Sequence, residues 1–251
     1  MRLAHVSLIL TVAGLIFTGC KPPEDPLGNR LGPARDVINA SVQAIGSLPD
    51  WQKVTNVSAT AIVASYDADG NKTVDRLMLN MDIWGGVITA DGASPQGAWS
   101  ARVSDDGTCT TTGSPSLGKE ALCRELGTIL HRVRGPLNML AEREQVLSAH
   151  RDRVDGINVN RVAVEGRGKT KMVYYFDAAT NLLRFVSEGD ETPGSKGTVT
   201  IYGQRESYAA LPNGLTMPRK FRVVKVGQHV MIGDKPVLDV ELSDITVQKS
   251  Q

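Results

Sequence analysis

Alternation constrains this chain more than any other feature. Val57, Ala59, Ala61 and Val63 fall on every second position, and so do Leu77, Leu79, Met81 and Ile83, with Met78, Asn80 and Asp82 between the last four. A period of two places one set on each face of an extended strand, whereas a helix would scatter it around its circumference. Asp67-Ala-Asp-Gly-Asn71 separates the two runs and supplies the residues of a tight turn, so the pair predicts an antiparallel hairpin. The logic recurs from Tyr174 to Leu183, where a second Asp/Asn turn parts two runs. Further strands are predicted at 85–91, 96–104, 157–165, 171–177, 182–188, 197–208, 215–226 and 236–247. That makes about ten antiparallel strands in meander order.

Two segments break the alternation. Val37, Ile38, Val42 and Ile45 recur at helical spacing over 34–46, and Gly46 stops the run. Over 116–149, Leu117, Ala121, Leu122, Leu126, Ile129, Leu130 and Val133 share one helical face; Gly135-Pro136 breaks the helix, and Leu137, Leu140 and Leu147 suggest a second helical stretch. The expected fold is therefore α+β: a large curved antiparallel sheet, a half-barrel, with an N-terminal helix and a helical insertion covering its concave face. One globular domain over 34–251 accommodates it, because 251 residues with 41% hydrophobic side chains can bury a sizeable core.

The N-terminus follows a different rule. Arg2 precedes an apolar run from Val6 to Phe17, then the small residues Thr18 and Gly19, then Cys20. A short basic start, an apolar stretch and a small-residue cut site are the layout of a secretory signal, here 1–19. The stretch is too short for a stable membrane-spanning helix. Residues 20–33, with Lys21-Pro-Pro-Glu-Asp-Pro26, read as a flexible tether. Phe17-Thr-Gly-Cys20 resembles the lipobox of bacterial lipoproteins, with Phe17 where Leu is usual. The alternative is an ordinary signal peptide whose following residue happens to be cysteine. The lipoprotein resemblance implies cleavage before Cys20, acyl chains such as palmitate on that cysteine, and a membrane as partner. Two or three chains anchor stably at about 0.8 kcal/mol per buried methylene. Lys21 stands where inner-membrane retention would place Asp, so the resemblance implies the periplasmic side of the outer membrane.

Export places the other two cysteines, Cys109 and Cys123, in an oxidising compartment, where a disulfide is expected. Two free thiols are the alternative. A metal-binding pair would need further ligands, and only His131 is close in sequence. The remaining composition excludes several functions. Arg2 is the one basic residue lost with the signal, so the mature chain keeps one fewer than the 28 Lys and Arg and matches its 27 Asp and Glu. A neutral chain with 5% aromatic residues is a poor nucleic-acid binder. The four histidines, His5, His131, His150 and His229, lack metal-ligand spacing, and His131 and His150 read as solvated residues of the helical insertion. Asp67-x-Asp69-x-Asn71 resembles the start of a calcium loop, but Lys72 occupies the glycine position and Met78 the glutamate position, which favours a plain turn. Gly166-Arg-Gly-Lys169 reads as a hairpin turn, and the acidic pairs Asp105-Asp106 and Glu188 with Asp190 as solvated charge in turns. No catalytic constellation, metal site or cofactor emerges, so the chain is not read as an enzyme.

A further resemblance rests on element order and on the C-terminal third. Tyr175-Phe-Asp-Ala-Ala-Thr-Asn-Leu-Leu183, Tyr202 to Tyr208, Leu211-Pro-Asn-Gly-Leu-Thr-Met-Pro218 and Val237-Leu-Asp-Val-Glu-Leu-Ser-Asp-Ile-Thr-Val247 are similar to the lipoprotein-carrier fold shared by LolA, LolB, the mycobacterial LppX and LprG lipoproteins and the sensor protein RseB. The low aromatic content departs from those carriers. The resemblance implies an apolar cavity for a lipid or an acylated protein. Leu77, Leu79, Met81 and Ile83 on the sheet and Leu126, Ile129, Leu130 and Val133 on the helix are the candidate lining. The same residues could instead form the closed core of a structural or protein-interaction lipoprotein. The anchor itself is directly testable: Cys20→Ser is expected to abolish both palmitate incorporation and membrane retention, measured by labelling and by fractionation at high salt; a variant that stays labelled and sedimenting would exclude Cys20 as the attachment point.

Overall fold

The computed structural model describes residues 31–140, 144–154, 156–166, 171–188, 199–202, 207–226 and 236–250. The signal, Cys20, nearly all of the tether, His5, His229, Asp190 and residues 167–169 of the 166–169 turn lie outside them. A 3-10 turn (Gly32–Ala34) leads into α1 (Arg35–Ala44) and α2 (Leu48–Gln52). Five strands follow: β1 (Val54–Tyr66), β2 (Lys72–Asp82), β3 (Val87–Ser94), β4 (Gly97–Ser104) and β5 (Cys109–Thr112). Two helices come next, α3 (Lys119–Arg134) and α4 (Leu137–Leu140). The rest is β: β6 (Glu144–Val154), β7 (Ile157–Gly166), β8 (Lys171–Asp177), β9 (Leu183–Glu188), β10 (Val199–Tyr202), β11 (Ser207–Ala210), β12 (Thr216–Val226) and β13 (Pro236–Lys249).

The strands form one mostly antiparallel sheet that does not close into a barrel, in the order β5-β4-β3-β2-β1-β13-β12-β10-β9-β8-β7-β6. Each half is a meander. The halves meet where β1 pairs with β13, Val57 opposite Val247 and Val63 opposite Val240. The Asp67–Asn71 turn forms as its residues require: the Asp67 carboxylate accepts from the backbone N–H of Asp69 (3.0 Å) and of Asn71 (2.8 Å). At Asp177 the carboxylate likewise accepts from Ala179 and Thr180, and Asn181 adopts the left-handed conformation at φ 59°. Gly92 serves a close approach: a Cβ there would meet the Trp99 ring at 2.4 Å.

β2 shows the alternation at its clearest. Asp75, Leu77, Leu79 and Met81 face the inner core, while Val74 and Met78 face outward, exposed by 54% and 58%. The sheet's two halves differ on their outer face. On β2 the outer face is exposed, whereas Val159, Val173, Tyr175, Phe185 and Val224 form a second, smaller cluster, with the Tyr175 and Phe185 rings edge to face at 6.3 Å. β8 therefore buries consecutive residues, Tyr174 and Phe176 inward, Val173 and Tyr175 outward. Between the halves Asp239 on β13 accepts from the Arg222 guanidinium on β12 and from the Tyr66 hydroxyl at 3.0 Å.

Several expectations need correction. The helical insertion ends at Leu140, and Leu147 lies on β6, half exposed at the sheet edge. The leucine spacing matched a helix, but Glu144–Val154 pairs along its length with β7. A bulge between Val146 and Ser148 resets the alternation, so Val146 and Ala149 both reach the core and the period of two is hidden. Among the described residues the strands number thirteen, where about ten were expected. β5, made of Cys109-Thr-Thr-Thr112, has no apolar alternation because it is an edge strand that β4 alone holds. The run expected as one strand over 197–208 is described as β10 and β11, which lie end to end along one side of β12. α2, which has no counterpart among the expected elements, is a short helix capped by Ser47, whose hydroxyl accepts from Asp50 N–H at 3.2 Å.

Cys109 and Cys123 are bonded, with Cα atoms 6.0 Å apart. The bond ties the sheet's edge strand to the first turns of α3. Removing it frees a loop of 14 residues' separation in the unfolded chain, so the double substitution Cys109→Ser/Cys123→Ser is expected to lower stability by about 3 kcal/mol. Urea unfolding with an unchanged slope would show it; an unshifted midpoint would mean the staple constrains nothing.

Candidate functional site

The candidate site is the interior between α3 and the inner face of the sheet. β2 delivers Leu77, Leu79 and Met81 from one face, and Ile83 follows directly after the strand. α3 delivers Leu126, Ile129, Leu130 and Val133 at spacings of three and four, which stacks them along one stripe. All eight side chains are buried, and all eight belong to the same core cluster. α3 packs against β3, β4 and β12, so it bridges both halves of the sheet. One end of it is stapled to β5 through Cys123. The other stops at Gly135, at φ 45°, whose N–H reaches the carbonyl of His131, and Pro136 starts the short helix α4.

Polar groups bracket this apolar stripe. Toward the start of α3, Glu125 is buried and accepts from the Ser65 hydroxyl at 2.6 Å. Burial raises its pKa, and the nearby Asp75 carboxylate adds to the rise. Asp75 faces inward on β2, and burial raises its pKa too. At the far end the charged residues of the last turn, Arg132 and Arg134, complement the negative end of the helix dipole. His131 Nε2 and the Tyr174 hydroxyl are hydrogen-bonded at 2.6 Å, and Asn138 Nδ2 donates to the His131 carbonyl at 3.1 Å. Arg132 is buried and donates to the carbonyl of Arg184 at 3.2 Å. Burial lowers its pKa to about 10. Tyr208 donates to the Leu183 carbonyl at 2.6 Å, and burial pushes its pKa up to about 12.

His131 is thus not a solvated histidine. Burial first, then the Arg134 and Arg132 guanidiniums, hold its pKa down to about 3, so the ring is neutral at ordinary pH. His150, on β6, is exposed. Asp105 also differs from its expected solvated role, because it pairs with Arg134 at 3.2 Å. Asp106 does act locally, accepting from Thr108 N–H and the Ser104 hydroxyl. Sequence reasoning missed Glu125 with Ser65 toward the start of α3, and His131, Asn138 and Tyr174 as a set at its far end. The available signal was polar residues lying within the apolar stripes of α3 and β8, which a search for metal spacing passes over.

The arrangement can hold an apolar helix in register over an apolar sheet. Among the described residues no cluster of three His, Cys, Asp or Glu is placed to hold a metal ion, and no helix is long and apolar enough to cross a membrane.

Solved structures of known proteins share this architecture. A LolA superfamily protein from Nitrosomonas europaea superposes with a TM-score of 0.54 at 8% identity, covering 88% of this chain and 96% of its own. A DUF1329 family protein from Desulfovibrio piger (TM-score 0.47, 9% identity, 86% and 93% covered) is more loosely similar. So is a Vibrio parahaemolyticus domain described as a candidate outer membrane lipoprotein-sorting protein (0.48, 11%, 84% and 93%). Both of these superpose too loosely to bear on function. No family model matches the sequence, and no curated protein does. The fold is LolA-like: a large antiparallel sheet, open rather than closed, with a few helices on it.

The buried ionisable groups set opposite pH dependences. His131 has a folded-state pKa below its ordinary 6.5, so the unfolded chain binds the extra proton between about pH 6.5 and 3, and its contribution is lost as pH falls through that window. Glu125 and Asp75 have raised folded-state pKa values, so they favour the folded state as pH falls. The His131→Gln variant is therefore expected to lose less stability than the parent between pH 6.5 and 4, by chemical denaturation across that range. A variant as acid-sensitive as the parent would show that His131 is not held neutral.

Proposed function

We propose that this chain is a lipid-anchored lipoprotein of the bacterial envelope that binds a lipid or the acyl part of a protein, without covalent chemistry, between α3 and the sheet. Cleavage before Cys20 and acylation of that residue provide the anchor, and residues 20–33 provide the reach. The observation that carries the reading is how α3 is mounted. It covers the apolar inner face of both sheet halves, is fixed at one end by Cys109–Cys123, and turns at Gly135-Pro136 at the other. A helix held in this way would pivot about its stapled end once the polar contacts of its last turn part, replacing its own side chains with an acyl chain. The LolA-like fold supports the reading, and the signal layout fits the same compartment.

One observation favours a second reading. All eight candidate lining residues are buried in one cluster, as they would be in a permanently closed core of a structural or interaction lipoprotein. Ile129→Trp separates the two. In a carrier the indole occupies ligand space, so bound lipid is lost while the melting temperature stays within a few degrees. In a closed core it overpacks and destabilises by roughly 1–3 kcal/mol. Native mass spectrometry of protein prepared without detergent reads the lipid. A parent with no bound lipid and a variant with a large drop in melting temperature would decide for the closed core.

A further inference from the structure

On the flank of α3, a cleft of ≈ 310 Å³ opens between the helix and the turn after β4, with the core residues Val103 and Leu130 at its floor. Arg124, Gly127, His131 and Arg134 line it from the helix, and Val103 and Asp105 from the sheet. Cys123, and with it the disulfide, closes one end. We propose that this cleft binds a phosphate oxyanion, and that its natural form is the phosphate headgroup of an anionic amphiphile.

Two observations carry this. The first is charge. Two guanidiniums and one carboxylate line the cleft, a net positive wall, with Arg134 only 2% exposed and already oriented by Asp105 at 3.2 Å. A guanidinium fork fits a phosphate in bidentate fashion, and an oriented one loses little entropy on binding. His131 contributes no charge of its own, because burial first and then the two neighbouring guanidiniums keep its ring neutral.

The second is Gly127. Glycine in the middle of a helix costs about 1 kcal/mol relative to alanine. Close packing does not require it, because a Cβ there would meet nothing nearer than Val103 at 4.0 Å. Its φ is not in the left-handed region. What the missing side chain does is leave the cleft open along the helix. The apolar wall of Val103, Leu130 and Cys123 suits the first carbons of an amphiphile better than free phosphate. The volume is at the small end for ligand sites, enough for a headgroup and a few methylenes.

The cleft shares Leu130 with the interior lining, but its charged wall does not depend on the carrier reading. The test uses the mature chain carrying Cys20→Ser, titrated calorimetrically with dodecyl phosphate below its micelle concentration, with inorganic phosphate and with uncharged dodecyl maltoside. Dodecyl phosphate is expected to bind one to one, and Gly127→Phe to weaken it at least tenfold without lowering the melting temperature. If that variant fails to fold, Arg124→Gln, at an exposed position, gives the same reading through a several-fold loss and a weaker salt dependence. Inorganic phosphate binding as tightly as dodecyl phosphate keeps the oxyanion site but assigns it to the free ion. The proposal is overturned if Gly127→Phe binds like the parent, if dodecyl maltoside binds as tightly as dodecyl phosphate, or if Ile129→Trp rather than Gly127→Phe abolishes binding. The last result would place the ligand in the interior instead.

Discussion

A twisted sheet of this size exposes a wide apolar face, and that face has to be covered. This is the constraint on which the rest of the structure depends. Closure into a barrel would remove the problem, but β5 and β6 remain separate edges. Helices must do the covering, and among the described residues only α1 and α3 are longer than a turn or two. α1 contributes Ile38 and Val42 near the N-terminus, so α3 takes the centre. Its apolar stripe meets β3 and β4 on one side and β12 on the other, which is why its ends are defined so firmly by a disulfide and a Gly-Pro break. β1 and β13 join the two meanders, so the surface under α3 is a single sheet even though the strands either side come from opposite ends of the sequence.

Covering with one helix has a cost in polar groups. A sixteen-residue helix carries backbone termini and charged side chains into a region with little water. The structure answers locally at each end. Ser65 donates to Glu125, Tyr174 and Asn138 pair with His131 and its carbonyl, and the Arg184 carbonyl accepts from Arg132. Each bond adds little net stability, but leaving such a group without a partner would cost roughly 1–3 kcal/mol or more if charged. The polar residues therefore fix where α3 sits along the sheet, which the apolar contacts alone leave free to slide.

Much of this was legible in the sequence. Alternation at Leu77, Leu79, Met81 and Ile83 revealed β2 and its inner face, and helical spacing at Leu126, Ile129, Leu130 and Val133 revealed the stripe of α3. The spacing and compartment of Cys109 and Cys123 indicated their bond. What was not legible has physical reasons. The bulge at Val146/Ser148 shifts the phase of β6, so a strand imitated a helix. β5 is a one-sided edge with no buried face to impose a pattern. His131 looked solvated because its partner, Tyr174, lies 43 residues away on another strand. Gly127 stands out by no spacing or motif in the sequence. Only the cleft beside it gives the missing side chain a consequence.

Whether α3 can yield to a ligand turns on a comparison of burials. Five apolar residues of the helix, Leu122, Leu126, Ile129, Leu130 and Val133, lie against the sheet. Exposing them costs about 1.5–3 kcal/mol each, roughly 7–15 in all. A saturated chain of about sixteen carbons returns about 0.8 kcal/mol per buried methylene, roughly 12. The two are close, so an acyl chain can replace the helix without a large net change, provided the sheet stays covered throughout. A full detachment would instead expose the sheet's own Leu77, Leu79 and Met81 and add a cost that one chain cannot match. The disulfide would prevent that full detachment, because it ties the Cys123 end of α3 to the sheet edge. The same geometry that would make a permanent core rigid at one end would make a carrier's lid pivot rather than leave.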